Sequence, residues 1–218
     1  MIRRNLKQMI TEENLLFFGS FALLATLLAS GGYAGYVWHK NKTESQAQKY
    51  FSQTVREYQQ LTSSSDENAQ AWQEIEKTFQ AGYEKYGSSA LAPFFLNYLA
   101  DTSLHENKAE NALALVEKSV TYISAKSPFY YALQTKLALM KLDSSHEAVK
   151  KEGEALLEKL ANQETENPFY DMAIYYKGYT AWIRGDRQAA SAIWAKLQTI
   201  THQSFWAEKA YEKEHFLS

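Results

Sequence analysis

Residues 168–197, PFYDMAIYYKGYTAWIRGDRQAASAIWAKL, decide the fold of this chain. Large and small residues recur in this stretch at spacings of three and four, the period of an α-helix. Gly185 and Asp186 interrupt the pattern, and glycine suits the left-handed position that follows a helix C-terminus. The stretch therefore predicts two helices joined by a turn, with small residues where the helices approach. The residues predicted to pack this unit are Gly178, Ala181, Gly185, Ala190 and Trp194.

The same arrangement repeats along the chain. Each of the three prolines precedes a phenylalanine, in Pro93-Phe94, Pro128-Phe129 and Pro168-Phe169, and the phenylalanines are 35 and 40 residues apart. A fourth aromatic start, Phe205-Trp206, follows the third by 36 residues. Periods of about 34 to 40 residues built from two helices are typical of tetratricopeptide-like and related helical solenoids. We therefore predict an all-α repeat domain over residues 89–218, closed by a C-terminal capping helix.

Helix starts are predicted from short polar side chains. Ser127 and Asn167 each precede a proline, which favours an N-cap followed by proline at the first helical position. Ser144 and Glu147 have the spacing of a capping box, in which each side chain accepts from the backbone amide of the other residue.

A different pattern occupies residues 15–38, LLFFGSFALLATLLASGGYAGYVW, which contain no charged side chain. At about 1.5 Å per residue such a helix is long enough to cross the hydrocarbon core of a bilayer, about 30 Å thick. Gly31 and Gly35 form a G-x-x-x-G pair that could pack another membrane helix. The alternative is a cleaved signal peptide with a site near Gly31, although the apolar run continues beyond that position. The prediction is one N-terminal transmembrane helix.

This span divides the chain into a tail over residues 1–14, the transmembrane helix over 15–38, a membrane-proximal helical hairpin over 43–86 and the repeats over 89–218. Basic residues flank the span on both sides. Orientation is set by an excess of Lys and Arg on one side, so charge alone leaves it open.

Composition excludes several classes of function. The net charge is −2, so there is no basic footprint for nucleic acid. There is no cysteine, and the five histidines are dispersed with no metal-binding pair on a helix face. We therefore predict no catalytic residues, no metal site and no cofactor, which means that the protein is not an enzyme.

Met172, Tyr175, Tyr179 and Trp182 form a second stripe on the first helix of the 168–197 unit. Their spacings of three and four place them on one face, apart from the stripe that contains Gly178. Tyr and Trp offer large apolar area with a polar tip, and Met adapts to varied partners, so we predict a partner-binding surface here. The alternative is that this stripe is core, covered by the C-terminal helix.

The order of a basic flank, a span, an aromatic helix and repeat units, together with Tyr86-Gly87, Ala90-Leu91-Ala92, Gly178, Gly185-Asp186 and Ala190, resembles a known family. That family is the single-span, tetratricopeptide-like ancillary subunit of the bacterial SecYEG translocon, the YfgM-type family. The resemblance implies an anchor in the bacterial inner membrane and a periplasmic repeat domain. The lengthened second unit departs from the family pattern.

The resemblance implies a membrane-anchored protein-protein interaction module with a chaperone-like role in protein translocation. Its implied partners are the SecYEG translocon, periplasmic chaperones or unfolded secreted chains, besides the lipid bilayer. The alternative is a structural scaffold that assembles another envelope membrane complex. Transient binding to many extended chains favours the module, and one stoichiometric partner favours the scaffold.

Overall fold

The computed structural model describes the backbone of residues 12–64, 69–164, 167–200 and 204–216, and the side chains of 35–64, 69–164, 167–199 and 204–215. The regular structure of these residues is α-helical, which confirms the predicted all-α class. The helices are α1 Glu12–Ser63, α2 Ala69–Tyr86, α3 Ala92–His105, α4 Ala109–Tyr122, α5 Tyr130–Leu142, α6 Glu147–Leu160, α7 Tyr170–Ile183, α8 Arg187–Ile200 and α9 Phe205–Phe216.

Contacts divide the chain into two compact units, one that ends at Lys49 and one that begins at Tyr50. The predicted span, residues 15–38, falls within α1, but its side chains before residue 35 lie outside the described residues. Over the part of the chain that the structure describes, we find no helix with both the length and the apolar character needed to cross a membrane. Gly31 likewise lies outside the described side chains, while a Cβ added to Gly35 would meet nothing within 4 Å.

The second unit is a tetratricopeptide-like stack of helix pairs. α3 pairs with α4, α5 with α6, and α7 with α8, each through a turn too short for any arrangement other than antiparallel. The helices of one pair contact each other more extensively than they contact the neighbouring pair. α9 then packs against both α7 and α8.

Two of the three turns close in the same way. Asn107 follows α3 with φ of 60°, and Gly185 follows α7 with φ of 86°. In both turns the next amide donates to the carbonyl five positions earlier, at 2.8 Å in the first pair and 3.0 Å in the third. This is the Schellman motif, which needs a residue that tolerates positive φ. The sequence predicted that Gly185 takes this left-handed position in the third pair, and the structure places Asn107 in the same position of the first pair.

In the second pair, the two helices approach closely at Gly153, a residue of the second helix α6. A Cβ added to Gly153 would lie 2.7 Å from the carbonyl oxygen of Ala138 and 2.8 Å from the amide nitrogen of Leu142. The residues that lengthen this unit in sequence lie around Val149 to Gly153, so they bring a glycine to the point where α6 crosses α5.

Three predicted helix caps are wrong in detail. Pro128 and Pro168 precede α5 and α7 and do not occupy their first helical positions. Ser127 and Asn167 each accept from the amide two residues later, at 3.3 and 2.9 Å, so they close the turn before the helix. Ser144 also accepts from the amide two residues later, at 3.2 Å, and not as the predicted capping box. Short polar side chains accept hydrogen bonds from nearby amides in turns as readily as at helix starts. Here all three side chains bond within the turn before the helix.

Within the second unit, an aromatic core joins the part of α1 that begins at Tyr50 to α2 and α3. Phe79 and Phe95 are fully buried in it, and burial raises the pKa of Tyr58 to about 12. A second core lies between α3, α4 and α5, and a third extends from α5 through α6, α7 and α8 to α9. The rings that meet in the aromatic core include Tyr50, Phe51, Tyr58, Phe79, Tyr86, Phe95 and Tyr98.

Ion pairs connect helices both within one helix pair and between successive pairs. Lys141 of α5 contacts Glu117 of α4 at 3.0 Å and Glu152 of α6 at 2.7 Å, and hydrogen bonding to Glu152 raises the pKa of this lysine. Lys177 of α7 contacts Glu158 of α6 at 2.7 Å. Because each contact joins charges on different helices, it favours one register of the stack.

Candidate functional site: a repeat surface and a groove

α7 carries all four residues predicted to bind a partner. Met172, Tyr175, Tyr179 and Trp182 are each partly buried. The rings of Tyr175 and Tyr179 stack with centroids 6.1 Å apart and an interplanar angle of 8°. The predicted stripe is thus a continuous aromatic surface whose exposure is incomplete.

α9 covers the middle of this surface. The ring of Trp206 lies 5.2 Å from that of Tyr175 and 5.3 Å from that of Tyr176. The Lys213 ammonium lies 5.2 Å from the centroid of the Tyr179 ring, a cation–π distance. Burial raises the pKa of both Tyr175 and Tyr176, as expected for phenols withdrawn from water.

A neighbouring face of α7 meets α8 at Gly178. A Cβ added there would lie 2.3 Å from Nε1 and 2.5 Å from Cδ1 of Trp194, a ring that is fully buried. Nε1 of Trp194 donates to the carbonyl oxygen of Tyr175 at 3.0 Å, which holds the indole against α7. Ala190 is also fully buried, whereas Ala181 is partly buried.

The carboxyl end of α7 is more open. The Arg187 guanidinium lies 4.8 Å from the centroid of the Trp182 ring. Trp182, Arg187, Ser191 and Glu214 border a cavity of about 300 Å³ between α7, α8 and α9. Ser191 donates to the Glu214 carboxylate, which ties α8 to α9 at this cavity.

A groove that sequence reasoning missed lies between the first and second helix pairs. It has a volume of about 800 Å³ and runs along the turns after α3 and α5 and the starts of α4 and α6. Leu104, Leu113, Leu139 and Met140 provide its apolar part. Leu104 is 42% exposed, so a large part of its side chain is accessible in the groove.

The edge of this groove carries charges of both signs. Lys108 and His146 line it together with the carboxylates of Glu110 and Asp143. Lys108 also contacts Glu76 of α2 at 3.5 Å, so its charge is partly shared with the neighbouring helix. An apolar floor with a few polar groups at its edge is the composition of many ligand-binding pockets.

Among the described residues, no group of three His, Asp or Glu side chains is arranged to hold a metal ion. His105 stacks on Trp72 with ring centroids 3.6 Å apart, and His215 stacks on Tyr211 at 4.1 Å. The absence of catalysis and of cofactors stays a prediction.

Comparison with known proteins supports the fold. No family model matches the chain, and no curated protein does. Among solved structures, the chain is similar to a crystal structure of nearly identical TPR-like repeats, assigned to a kinesin light chain of Podosopora anserina. The TM-score is 0.57 over 78% of this chain and 84% of that chain, at 16% sequence identity. Similarity at this identity shows the tetratricopeptide-like fold alone.

Proposed function

We propose that this protein is a protein-binding repeat module that holds extended, apolar segments of partner chains. The groove of about 800 Å³ between the first and second helix pairs supports this proposal most directly. Its apolar side chains are open to an incoming segment, whereas the aromatic surface of α7 is largely covered by α9. The groove is therefore the surface on which a partner chain can bind without rearrangement.

The chemistry of the groove suits varied sequences. Met140 is flexible and adapts to differently shaped side chains, and the leucines around it offer contact without direction. The edge presents Lys108 and His146 beside Glu110 and Asp143, so no single charge on the partner is selected. These properties favour unfolded chains over one specific folded partner.

Leu104→Gln is expected to weaken binding of an unfolded probe about fivefold. Leu104 is 42% exposed, so a bound segment can cover only that exposed fraction of its apolar area. We estimate the loss at about 1 kcal/mol, which corresponds to about fivefold in Kd. The measurement is fluorescence anisotropy of a labelled, carboxymethylated and permanently unfolded protein titrated with the full-length chain.

Phe129→Gln is the matched control, because Phe129 is 50% exposed and does not line the groove. This variant should bind the probe as the unmodified chain does. Equal affinity for Leu104→Gln and the unmodified chain would place the binding surface elsewhere. If one stoichiometric protein, and no unfolded chain, is captured by cross-linking in cells, the scaffold function is correct instead.

We further propose that residues 15–38 anchor the protein in the bacterial inner membrane, with residues 1–14 in the cytoplasm and the repeats in the periplasm. The uncharged run and the aromatic residues at its end, near Trp38, support the anchor. The resemblance to the ancillary SecYEG subunit supports the orientation. The partners would then be secreted chains that emerge from the translocon, or periplasmic chaperones.

Protease treatment of sealed inner-membrane vesicles of known orientation tests this topology. In inverted vesicles, whose cytoplasmic face is outside, we expect the repeats to be protected until detergent is added. Digestion of the repeats without detergent, or a mature chain that begins near Gly31, would show that the anchor or its orientation is wrong.

A further inference from the structure

We propose that α9 is the resident ligand of the aromatic surface on α7, and that this surface binds a short amphipathic helix of a partner in place of α9. The inference rests on the proposed protein-binding function and adds a second surface to it. It specifies the kind of partner: a helix with an aromatic residue, a small residue four positions later and a basic residue three positions after that.

The contacts of α9 define this pattern. Trp206 lies against Tyr175 and Tyr176, Ala210 is fully buried, and Lys213 lies over Tyr179. The spacings of four and three place these residues on one face of the helix. A partner helix with the same three side chains would meet the same aromatic rings.

The α9 contact is weak enough to be exchanged. Among the described residues of α9, Ala210 has a fully buried side chain, whereas Phe205 and Tyr211 are 58% and 48% exposed. At its edges it relies on polar bonds, from Ser191 of α8 to Glu214 and from Ser204 to Asp171 of α7. A helix of 12 residues is marginal alone in water, so α9 depends on this small contact.

The α7/α8 pair keeps its own core when α9 leaves. Ile174, Trp194 and Leu197 are buried between α7 and α8, and Trp194 is held there by its bond to the Tyr175 carbonyl. Displacement of α9 would therefore expose Tyr175 and Tyr176 without opening the interface at Gly178. Helix-in-groove recognition requires such an apolar face on a rigid support.

A synthetic peptide of residues 204–216, SFWAEKAYEKEHF, with a fluorescein label, is the probe. It is titrated by anisotropy with the full-length chain. The resident helix α9 competes with the peptide for the α7 surface. The apparent Kd of the peptide therefore equals its intrinsic Kd divided by the fraction of molecules in which α9 has left that surface. Trp206→Ala in the chain weakens the resident helix, so the peptide should bind at least fivefold more tightly.

Tyr211→Ala is the matched control, because this ring stacks on His215 of the same helix. It should leave peptide binding unchanged. A second variant holds α9 permanently on the α7 surface. It carries Ser191→Cys and Glu214→Cys, at two positions that contact each other between α8 and α9. Because the chain has no other cysteine, a short thiol cross-linker joins only this pair. Cross-linked protein should lose at least tenfold in affinity for the peptide, and circular dichroism verifies that each variant is folded.

Equal peptide binding by the cross-linked and uncross-linked chains overturns the inference, as does an unchanged or weaker affinity of folded Trp206→Ala. Binding of the unfolded probe is measured on the same samples. If cross-linking leaves both probes unaffected, the α7 surface is core and the groove function stands. If neither probe binds to any form, the proposed function itself fails.

Discussion

Gly178→Leu is expected to destabilise the repeat domain by about 3 kcal/mol, at the upper end of the cost of overpacking a core. A Cβ at this position already falls 2.3 Å from Nε1 of Trp194, and a leucine adds three more carbon atoms. Trp194 is fully buried and donates to the Tyr175 carbonyl, so it cannot move aside without losing that bond. For a domain of this size the melting temperature should fall by about 6 to 12 °C.

The measurement is thermal unfolding followed by circular dichroism, together with tryptophan fluorescence. Ala192→Leu is the matched control, because it enlarges an exposed alanine of the neighbouring helix α8 and should change the melting temperature little. A melting curve for Gly178→Leu that superimposes on the control would mean that α7 and α8 do not meet at Gly178.

Phe95→Ala is expected to cost about 3 to 5 kcal/mol, the range for removal of a buried aromatic ring. Phe95 is fully buried and makes an edge contact with Phe51 at 5.0 Å between ring centroids. It also fills the space beside Gly82, where a Cβ would lie 2.4 Å from its ring. Removal of the Phe95 ring should weaken the packing of α1 and α2 against the first repeat, because this ring of α3 contacts both α1 and α2.

Denaturant unfolding at two wavelengths measures this effect, with near-ultraviolet circular dichroism for the aromatic core and far-ultraviolet for helix. Phe129→Ala is the control, since its ring is 50% exposed and the variant should lose less than about 1 kcal/mol. If both phenylalanine variants have the same free energy of unfolding, the aromatic core does not hold α2 against α3.

Much of the fold was predictable because it depends on local patterns. The Pro-Phe starts marked the three helix pairs, although α5 and α7 begin after their prolines and not at them. Gly185 was predictable as a turn residue from chemistry alone, and its φ of 86° is one that glycine adopts easily. Asn107 in the equivalent turn gave a weaker signal because asparagine also occurs in many other positions.

The surfaces were less predictable because they depend on residues far apart in the chain. Leu104 and Met140 are in different repeats, and each fits a helical stripe that predicts burial in the core. The groove exists because the turns of two successive pairs stay apart, a distance that no spacing in the sequence specifies. The aromatic stripe that includes Tyr175 was predictable, but the sequence left open whether it binds a partner or is covered by the C-terminal helix. The position of Trp206 against Tyr175 shows that α9 covers part of it.

The sequence by itself determined the helical class, the repeat period, the turn at Gly185 and the position of Gly178 where the two helices approach closely. These follow from the 3.6-residue period and from the steric limits on single residues, which act within one or two helices. The tertiary structure alone decided that Trp194 is the ring against Gly178 and that the groove beside Leu104 stays open, and it decided between the two alternatives for Tyr175 by placing α9 on it. The reason is that each of these depends on how closely helices from different parts of the chain can pack, and packing is set by the shapes of all the side chains between them.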